Sequence, residues 1–380
     1  MKTKRTYASL LLWAGLLPAT FAAVATPPQL ATDLAAAGQA AVIGLAGVNP
    51  VAAPEIPMTA TWGGGLLILS DSPESPTAKA TLYRDAGLEA TGATPNRIFV
   101  YHASAKASGY LRFTVLIKNR GASAGTLTVT KAGTAGPSTN YGYTGKMAFK
   151  RWLDSTAAAG VSIAAGATVR LDAAFDTLDV ANGRVVNGIW DYTFTQDHTV
   201  MVCALDPADN PVTVGPTLPV AARDVHKRGT FIYSDKIHDS AAGVTVDTAA
   251  GIQQFPLGGN SDVFVTGHDY AVAVPTPETN TGNYGVLYRI HVATACSDGR
   301  SFGVLINPRA GAWGGAIWTP PGLLAGGKFL VPASTVMLSD ATKAAVAGKY
   351  YTGAGGATVW AQFMPTAASA FPVRFMVVPY

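Results

Sequence analysis

Apolar and polar residues alternate with a period of two along most of the chain after residue 65. In residues 111–118 every second residue is large and apolar: Leu111, Phe113, Val115 and Ile117. Because successive side chains of a strand point to opposite faces, this pattern places one face in a core. Similar segments are residues 66–69, 97–101, 126–130, 167–173, 188–195 and 199–205. The pattern predicts an all-β fold with a helix at residues 144–155. An apolar stretch at residues 30–45 is a second helix candidate, but it lacks strong caps and is interpreted as part of a leader.

A second set of strand-like segments follows a connector that contains Pro207, Pro211, Pro216 and Pro219. These segments are residues 285–292, 301–306, 315–319, 328–332, 359–364 and 373–379. Both sets end in a β-branched segment that is closed by a proline. We therefore expect two tandem β-sandwich domains of jelly-roll or immunoglobulin-like design.

The first 25 residues have the pattern of a signal peptide. Lys2, Lys4 and Arg5 precede an apolar run at residues 10–21, and residues 23–25 form a small-x-small cleavage site. The apolar run is shorter than the roughly 20 residues that span a bilayer. No later segment predicts a membrane span. We expect a secreted protein, extracellular or at the cell surface, with the periplasm as the alternative location.

These patterns divide the chain into five segments. Residues 1–25 are the expected signal peptide, and residues 26–60 are an Ala- and Pro-rich leader. Residues 61–207 are the expected first β-sandwich and residues 226–380 the second. The Pro-spaced connector occupies residues 208–225.

Charge argues against nucleic acid as a partner. The chain has a formal net charge of +4. Lys2, Lys4 and Arg5 contribute three of these charges, so cleavage after Ala25 leaves a net charge of +1. A protein this close to neutrality has no basic field to attract phosphates or anionic lipids.

Five short runs resemble a group of secreted bacterial proteins of unassigned function. They are residues 70–74, 82–85, 134–141, 226–231 and 280–285. The resemblance covers about residues 65–380, and some members of the group carry a copper-amine-oxidase N-terminal-like module. It implies an extracellular or cell-surface all-β protein. The runs are loop and turn signatures, so the resemblance implies no catalytic residues, and we recognise no such module in this chain.

One segment matches the G-x-S-x-G motif of α/β-hydrolases at residues 121–125. That motif requires a helix after the serine, whereas residues 126–130 predict a strand. The glycines therefore favour a hairpin loop, and Ser123 is not expected to be a nucleophile. The histidines show no spacing typical of a zinc or copper site, so such a site would have to be assembled across the fold.

Calcium is the metal that the acidic residues favour. Asp71 and Glu74 are one of the closest pairs of carboxylates, and secreted β-sandwiches often bind calcium through loop oxygens. The spacing lacks the density of a dedicated calcium loop. Turn formation beside Pro, Ser and Asn is therefore the competing interpretation. No other cofactor is expected.

Two tryptophans suggest a ligand-binding surface. Trp313 and Trp318 lie among small residues that would leave their flat rings open for stacking on sugars. Core packing is the competing interpretation. It is the simpler one for Trp190, Tyr192 and Phe194, which share one face of a predicted strand.

Cys203 and Cys296 are the two cysteines of the chain, one in each predicted half. In an exported protein, an even number of cysteines favours a disulfide, which here would link the two sandwiches. The alternative is that Cys203, in a predicted core strand, is a buried apolar thiol.

These expectations together predict a non-enzymatic protein. Its expected role is structural or adhesive, in the cell envelope or extracellular matrix. The expected partners are further copies of the protein or a cell-surface or matrix polysaccharide. A carbohydrate-binding module is the alternative hypothesis, and a secreted hydrolase is the third.

Overall fold

The computed structural model describes residues 23–258, 262–309 and 311–380. Most of the expected signal peptide, residues 1–22, lies outside the described residues. The first strands are β1 Val42–Gly44, β2 Met58–Gly63, β3 Leu67–Ser70, β4 Ala80–Arg84, β5 Asn96–Ala103, β6 Tyr110–Asn119, β7 Gly125–Ser138, β8 Val161–Ile163, β9 Thr168–Arg170, β10 Val180–Ala181, β11 Val185–Phe194 and β12 His198–Leu205. They are followed by β13 Arg228–Phe231, β14 Asp235–Ser240, β15 Val246–Asp247, β16 Gln253–Leu257, β17 Thr266–Asp269, β18 Thr276–Thr279, β19 Leu287–Ala295, β20 Phe302–Pro308, β21 Gly315–Thr319, β22 Gly327–Val331, β23 Lys343–Tyr350, β24 Ala357–Phe363 and β25 Val373–Pro379.

The helices are α1 Pro28–Ala36, α2 Tyr141–Asp154 and the short α3 Pro211–Val214. The all-β prediction is confirmed, and α2 confirms the helix expected at residues 144–155. Asn140 caps α2, because its side-chain oxygen accepts a hydrogen bond from the Tyr143 amide at 3.0 Å. No helix of the described residues is long and apolar enough to cross a membrane.

The strands form four sheets. Sheet A has the order β18-β17-β13-β3-β5-β11-β7-β8, and sheet B has the order β10-β6-β12-β4, with β9 also paired to β6. Sheet C has the order β2-β14-β19-β24-β21-β22, with β15 also paired to β19, and sheet D has the order β1-β23-β20-β25-β16. The pairings are antiparallel except for β3 with β5, β14 with β19, and β15 with β19.

Sheets A and B form the first sandwich. Ile98 and Trp190 of sheet A share a buried core with Phe113 of sheet B. Tyr192 and Phe194 belong to the same core, as their shared strand face predicts. Burial of such large apolar side chains contributes about 1.5–3 kcal/mol each, so this core is a main source of stability.

The segment at residues 120–124 is not the hairpin loop that the sequence predicts. It connects β6 in sheet B to β7 in sheet A, and these two strands do not pair with each other. Ile117 and Leu127, on either side of the loop, enter the same core from opposite sheets. The alternation of apolar and polar residues shows that β6 and β7 each have a buried face. It does not show whether the two strands pair in one sheet or lie in opposite sheets.

Sheets C and D form the second sandwich. Tyr288 and Ile290 of sheet C pack in one core with Phe255 and Phe375 of sheet D. Helix α2 lies between this sandwich and sheet A, because Phe149 and Trp152 belong to the same buried cluster.

The approach of α2 to β7 requires a glycine at position 133. A Cβ atom at Gly133 would lie 2.1 Å from the Ala148 carbonyl oxygen and 2.3 Å from the Trp152 amide nitrogen. Both neighbours are helix backbone, so they have little freedom to move away. The glycine therefore sets the distance between the helix and the sheet.

The segment at residues 26–60 is packed rather than forming the expected leader. Leu30 and Leu34 of α1 are buried against Met376 and the outer side of sheet D. The buried Lys349 ammonium donates hydrogen bonds to the carbonyls of Leu34 at 3.3 Å and Ala35 at 2.9 Å. A cation thus satisfies acceptors that the end of a helix leaves open.

The sheets do not divide where the expected domains do. Strand β2, from before the connector, belongs to sheet C, whereas β13, β17 and β18, from after it, belong to sheet A. The connector is itself packed, because Val214 and Leu218 lie on Leu116 and Met201 of sheet B. The two sandwiches therefore exchange strands instead of following each other in tandem.

A buried guanidinium joins the two sandwiches. Arg97 of β5 donates two hydrogen bonds to Asp191 of β11, at 2.7 and 2.9 Å. It also donates to Asp235 of β14 at 3.2 Å, to the Ser234 carbonyl at 2.7 Å and to the Gly285 carbonyl at 3.2 Å. Only 3% of the Arg97 side chain is exposed. Its hydrogen bonds therefore bridge sheets A and C in a medium where an unpaired charge is costly.

Replacement of Arg97 by alanine is expected to lower the free energy of unfolding by about 3–5 kcal/mol, because it leaves Asp191 and Asp235 buried without this partner. The matched control is Arg112→Ala. The Arg112–Asp179 pair has a similar Nε–Oδ1 distance, 2.6 Å, but both side chains are partly exposed, so a loss of at most about 1 kcal/mol is expected. Urea unfolding of both variants measures the difference. Equal losses would show that Arg97 does not join the sandwiches.

Candidate functional site

The outer face of sheet C, the face directed away from sheet D, carries a row of polar and aromatic residues. Ile290 of β19 and Ala361 of β24 are buried, whereas their neighbours in sequence, His291 and Trp360, are only half-buried. The strand register pairs His291 with Trp360. Because alternate residues of a strand share a face, the half-buried residues lie together opposite the core.

Two tryptophans meet on this outer face. Trp318 of β21 is paired with Gln362 of β24, so Trp360 lies diagonally across from it, two residues away. The ring centroids of Trp318 and Trp360 are 3.7 Å apart, with an angle of 42° between the ring planes. Both rings are half-buried and therefore keep an exposed part. They form one aromatic surface.

Polar side chains continue the row from the tryptophans. The register pairs Gln362 with Arg289 of β19. Arg289 donates hydrogen bonds to Asp235 at 2.7 and 3.0 Å, and His291 Nδ1 lies 2.8 Å from the Asp239 carboxylate. These partners hold the guanidinium and the imidazole in fixed positions beside the aromatic surface.

A cleft begins where this face meets the first sandwich. Ile237 and Arg289 of sheet C line a cavity of about 380 Å³, and Pro95, Arg97 and Asp191 of the first sandwich line its other side. The cleft is therefore built by both sandwiches. Its shape depends on their relative position.

A larger cavity, of about 540 Å³, adjoins this one, because Gly64 and Thr94 line both. Its lining includes His268 and Tyr270, whose ring centroids are 5.7 Å apart. The two cavities therefore form one continuous cleft.

Trp313 does not contribute to the aromatic surface. It is 1% exposed, it lies in the core of the second sandwich, and its backbone pairs with that of Leu338. The competing interpretation, core packing, therefore describes Trp313. Trp318 alone, of the two tryptophans that the sequence singled out, lies on the outer face.

Asp71 and Glu74, the two carboxylates considered for calcium, lie beside other titratable groups. Asp71 is buried, and burial raises its pKa well above the usual range, with Glu74 and Asp224 adding to the effect. Glu74 lies 2.7 Å from His226. The described residues contain no group of three or more His, Cys, Asp or Glu residues that could hold a metal ion.

Ser123 lies in the exposed connection between β6 and β7. The segment after it is strand β7, not the helix that a nucleophile elbow requires. Asn119 shapes this connection, since its side chain donates to the Ser123 carbonyl at 2.9 Å and accepts from the Gly121 amide at 2.9 Å. The match to G-x-S-x-G is therefore a loop.

The cysteines are free thiols, so the expected disulfide is not formed. Cys203 is buried between sheet B and the segment that covers it, where its sulfur lies 3.8 Å from the Thr81 hydroxyl. Cys296 is buried in the second sandwich, 3.6 Å from the Thr352 hydroxyl. The two thiols belong to separate clusters. Burial raises the pKa of Cys203 to about 11, which agrees with the buried apolar thiol that was the alternative.

Four residues of this face were not expected from the sequence: Trp360, Gln362, Arg289 and His291. Their strands were predicted, and alternation within each strand was a usable signal, since polar or aromatic residues alternate with Ile290 or Ala361. The register between β19, β24 and β21 was needed to bring them together. A single sequence does not contain that register.

Comparisons with known proteins assign this chain to no family. No family model matches the chain, and no curated protein matches it. GK1651 from Geobacillus kaustophilus is 10% identical over 79% of this chain and 96% of its own, with a TM-score of 0.15. The STIV MCP is 11% identical over 80% of this chain and 96% of its own, with a TM-score of 0.16. Likenesses this weak carry no argument, and they do not support the resemblance to secreted bacterial proteins or to a copper-amine-oxidase-like module.

Alkylation of the unfolded protein is expected to modify both Cys203 and Cys296 without prior reduction. In the folded protein near pH 8, Cys203 should react slowly, because burial holds its pKa near 11 and little thiolate forms. Intact mass after iodoacetamide treatment in urea, with and without reductant, measures this. A mass increase that needs the reductant would reveal a disulfide and contradict the structure.

Proposed function

We propose that this chain is a secreted, non-enzymatic protein that binds polysaccharide through the outer face of sheet C. The observation that carries the proposal is the Trp318–Trp360 pair, whose two half-buried rings lie together on the outer face of sheet C. The sequence pattern of residues 1–25 supports secretion. In this proposal, the structural or adhesive role in the cell envelope or matrix follows from attachment to the glycan.

The chemistry of the face suits a sugar chain. One side of a pyranose ring presents C–H groups, which pack on the flat apolar face of an indole. The hydroxyls at the ring edge need hydrogen-bond partners, and the Gln362 amide and the His291 imidazole lie beside the tryptophans. The adjoining open cleft gives room for a chain that extends beyond the aromatic pair. Each element of the face therefore matches one property of a polysaccharide.

A hydrolase has less support. Asp85 and Glu89 both line the larger cavity, so they are the acids to consider there. The Asp85 carboxylate already accepts hydrogen bonds from the Gly87 amide at 2.7 Å, from the Tyr83 hydroxyl at 3.4 Å and from the Thr230 hydroxyl. Both oxygens of the Asp85 carboxylate are therefore hydrogen-bonded, and they fix the turn at Gly87 and the contact with Thr230. Glu89, which is exposed, is then left as a single free acid in this cavity, whereas glycoside hydrolysis usually needs a pair.

Trp360→Ala is expected to weaken binding of a polysaccharide about tenfold or more, because about 1.4 kcal/mol of stacking energy corresponds to a factor of ten. Affinity electrophoresis in gels that contain soluble polysaccharides measures the retardation of the protein. The fold should be retained, since Trp360 lies on the side of the sheet opposite the core.

The matched control is Tyr110→Ala. Tyr110 is an exposed aromatic residue on sheet B, 47% exposed and on the other sandwich, so its removal should leave the retardation unchanged. Thermal unfolding of both variants checks their folding. Equal retardation of the wild type and a folded Trp360→Ala variant would exclude this face as the binding site.

A further inference from the structure

Two segments from the first 60 residues cover one edge of sheet D. Strand β16 is the last strand of that sheet, so one of its edges has no neighbouring strand. At this edge the Gln254 amide donates to the Pro54 carbonyl at 3.0 Å, and the Gln254 carbonyl accepts from the Ile56 amide at 2.7 Å. Just before β16, the Ile252 amide donates to the Val24 carbonyl at 2.8 Å. The backbone of Val24 therefore continues the cover of this edge.

Val24 approaches the edge closely. It forms a parallel β-bridge with Gly251. Gly251 has a φ of +77°, and a Cβ atom there would lie 2.4 Å from the Val24 carbonyl oxygen. The Val24 side chain packs on the buried cluster that contains Ile252, Leu30 and Leu34. The backbone and the side chain of Val24 are thus both part of the fold.

Cleavage after Ala25, the site that the small-x-small pattern of residues 23–25 predicts, would remove Val24. The Ile252 amide would lose its acceptor, although Ile252 is 0% exposed. A buried donor without an acceptor is costly, and part of a sheet edge would be uncovered. Residues 20–22, Thr-Phe-Ala, form another small-x-small site three residues earlier. Cleavage at that earlier site keeps Val24.

We infer that the signal peptide is removed between Ala22 and Ala23, so that the mature protein begins at Ala23 and keeps Val24 on the edge of sheet D. This inference rests on the secretion that is part of the proposed function. The step is the hydrolysis of one peptide bond by the signal peptidase of the producing cell. One water is consumed: its hydroxyl joins the Ala22 carbonyl carbon, and its proton joins the Ala23 nitrogen.

The N-terminus of the secreted protein tests the site. The full chain is expressed in a secreting bacterial host, and the intact mass and the N-terminal peptide of the released protein are measured. We expect a chain that begins at Ala23. A released chain that begins at Thr26, or at any other residue, overturns the inferred site and leaves secretion standing. Protein that stays in the cells with residues 1–22 attached contradicts the secretion in the proposed function.

Two matched substitutions distinguish the two small-x-small sites. Signal peptidase requires a small residue directly before the bond that it cuts. Ala22→Gln should therefore abolish release of the chain that begins at Ala23. Ala25→Gln should leave that release unchanged, and the fold should tolerate it because Ala25 is exposed. Loss of cleavage in the Ala25→Gln variant, or normal cleavage in the Ala22→Gln variant, would assign the cut to the later site.

The physical reason for the inference has its own test. Mature chains that begin at Ala23 and at Thr26 are compared by thermal unfolding. The chain that begins at Thr26 should unfold about 2–4 °C lower, because the Ile252 amide has lost its acceptor. Equal unfolding temperatures would show that the fold does not need Val24.

Gly251→Ala in each of these two chains is the matched control. The substitution places a side chain at a positive φ in both chains, but its Cβ collides with the Val24 carbonyl only in the longer one. It should therefore lower the unfolding temperature more in the chain that begins at Ala23. An equal decrease in both chains would mean that Val24 does not occupy the edge, and the inferred site would lose its structural basis.

Discussion

The relative position of the two sandwiches depends on the Arg97 guanidinium. Removal of a charged group from water costs several kcal/mol, which only complete pairing offsets. Asp191, from sheet A, satisfies one side of the group, and Asp235 with the Ser234 carbonyl, from the second sandwich, satisfies another. Neither sandwich supplies enough acceptors alone. The guanidinium is therefore fully paired only when the sandwiches dock in this one arrangement.

The same ion pairs connect the docking to the candidate site. Asp235 accepts from Arg97 with one oxygen and from Arg289 with the other. Arg289 in turn stands beside Gln362 in the row that leads to the tryptophans. On the other side, the Asp191 carboxylate accepts from the Trp152 indole at 3.2 Å, and Lys131 lies over that ring. Arg289 of the outer face and Trp152 of α2 thus belong to one network that runs through Asp235, Arg97 and Asp191.

The sequence predicts which residues of a strand share a face, but not which strand lies beside it. Alternation correctly places Trp190 in a core, and it correctly finds α2 from its apolar side. It fails at residues 120–124, where neighbouring strands belong to different sheets, and at β2 and β13, which join the sheet of the opposite half. For the site, Trp318 was found because its neighbours are small, whereas Trp360 became visible only through the register of β24 with its neighbours. Pairing between distant segments depends on the whole chain, and local patterns do not encode it.

The buried lysines of the chain show what the burial of an ammonium group requires. Lys146 is buried in α2 and donates to the carbonyls of Pro332 at 2.7 Å and Ser334 at 2.9 Å, and burial lowers its pKa to about 8. Lys349 is likewise held by two carbonyls at the end of α1. Burial of an ammonium group thus comes with short hydrogen bonds at both positions, as its desolvation requires. Lys131 is half-buried, and its ammonium is held by the Trp152 ring, 4.7 Å away, and by hydrogen bonds of 3.5 and 3.4 Å to the carbonyls of Trp152 and Leu153 at the end of α2. The last carbonyls of both α1 and α2 thus receive a lysine ammonium, which the negative end of a helix dipole favours.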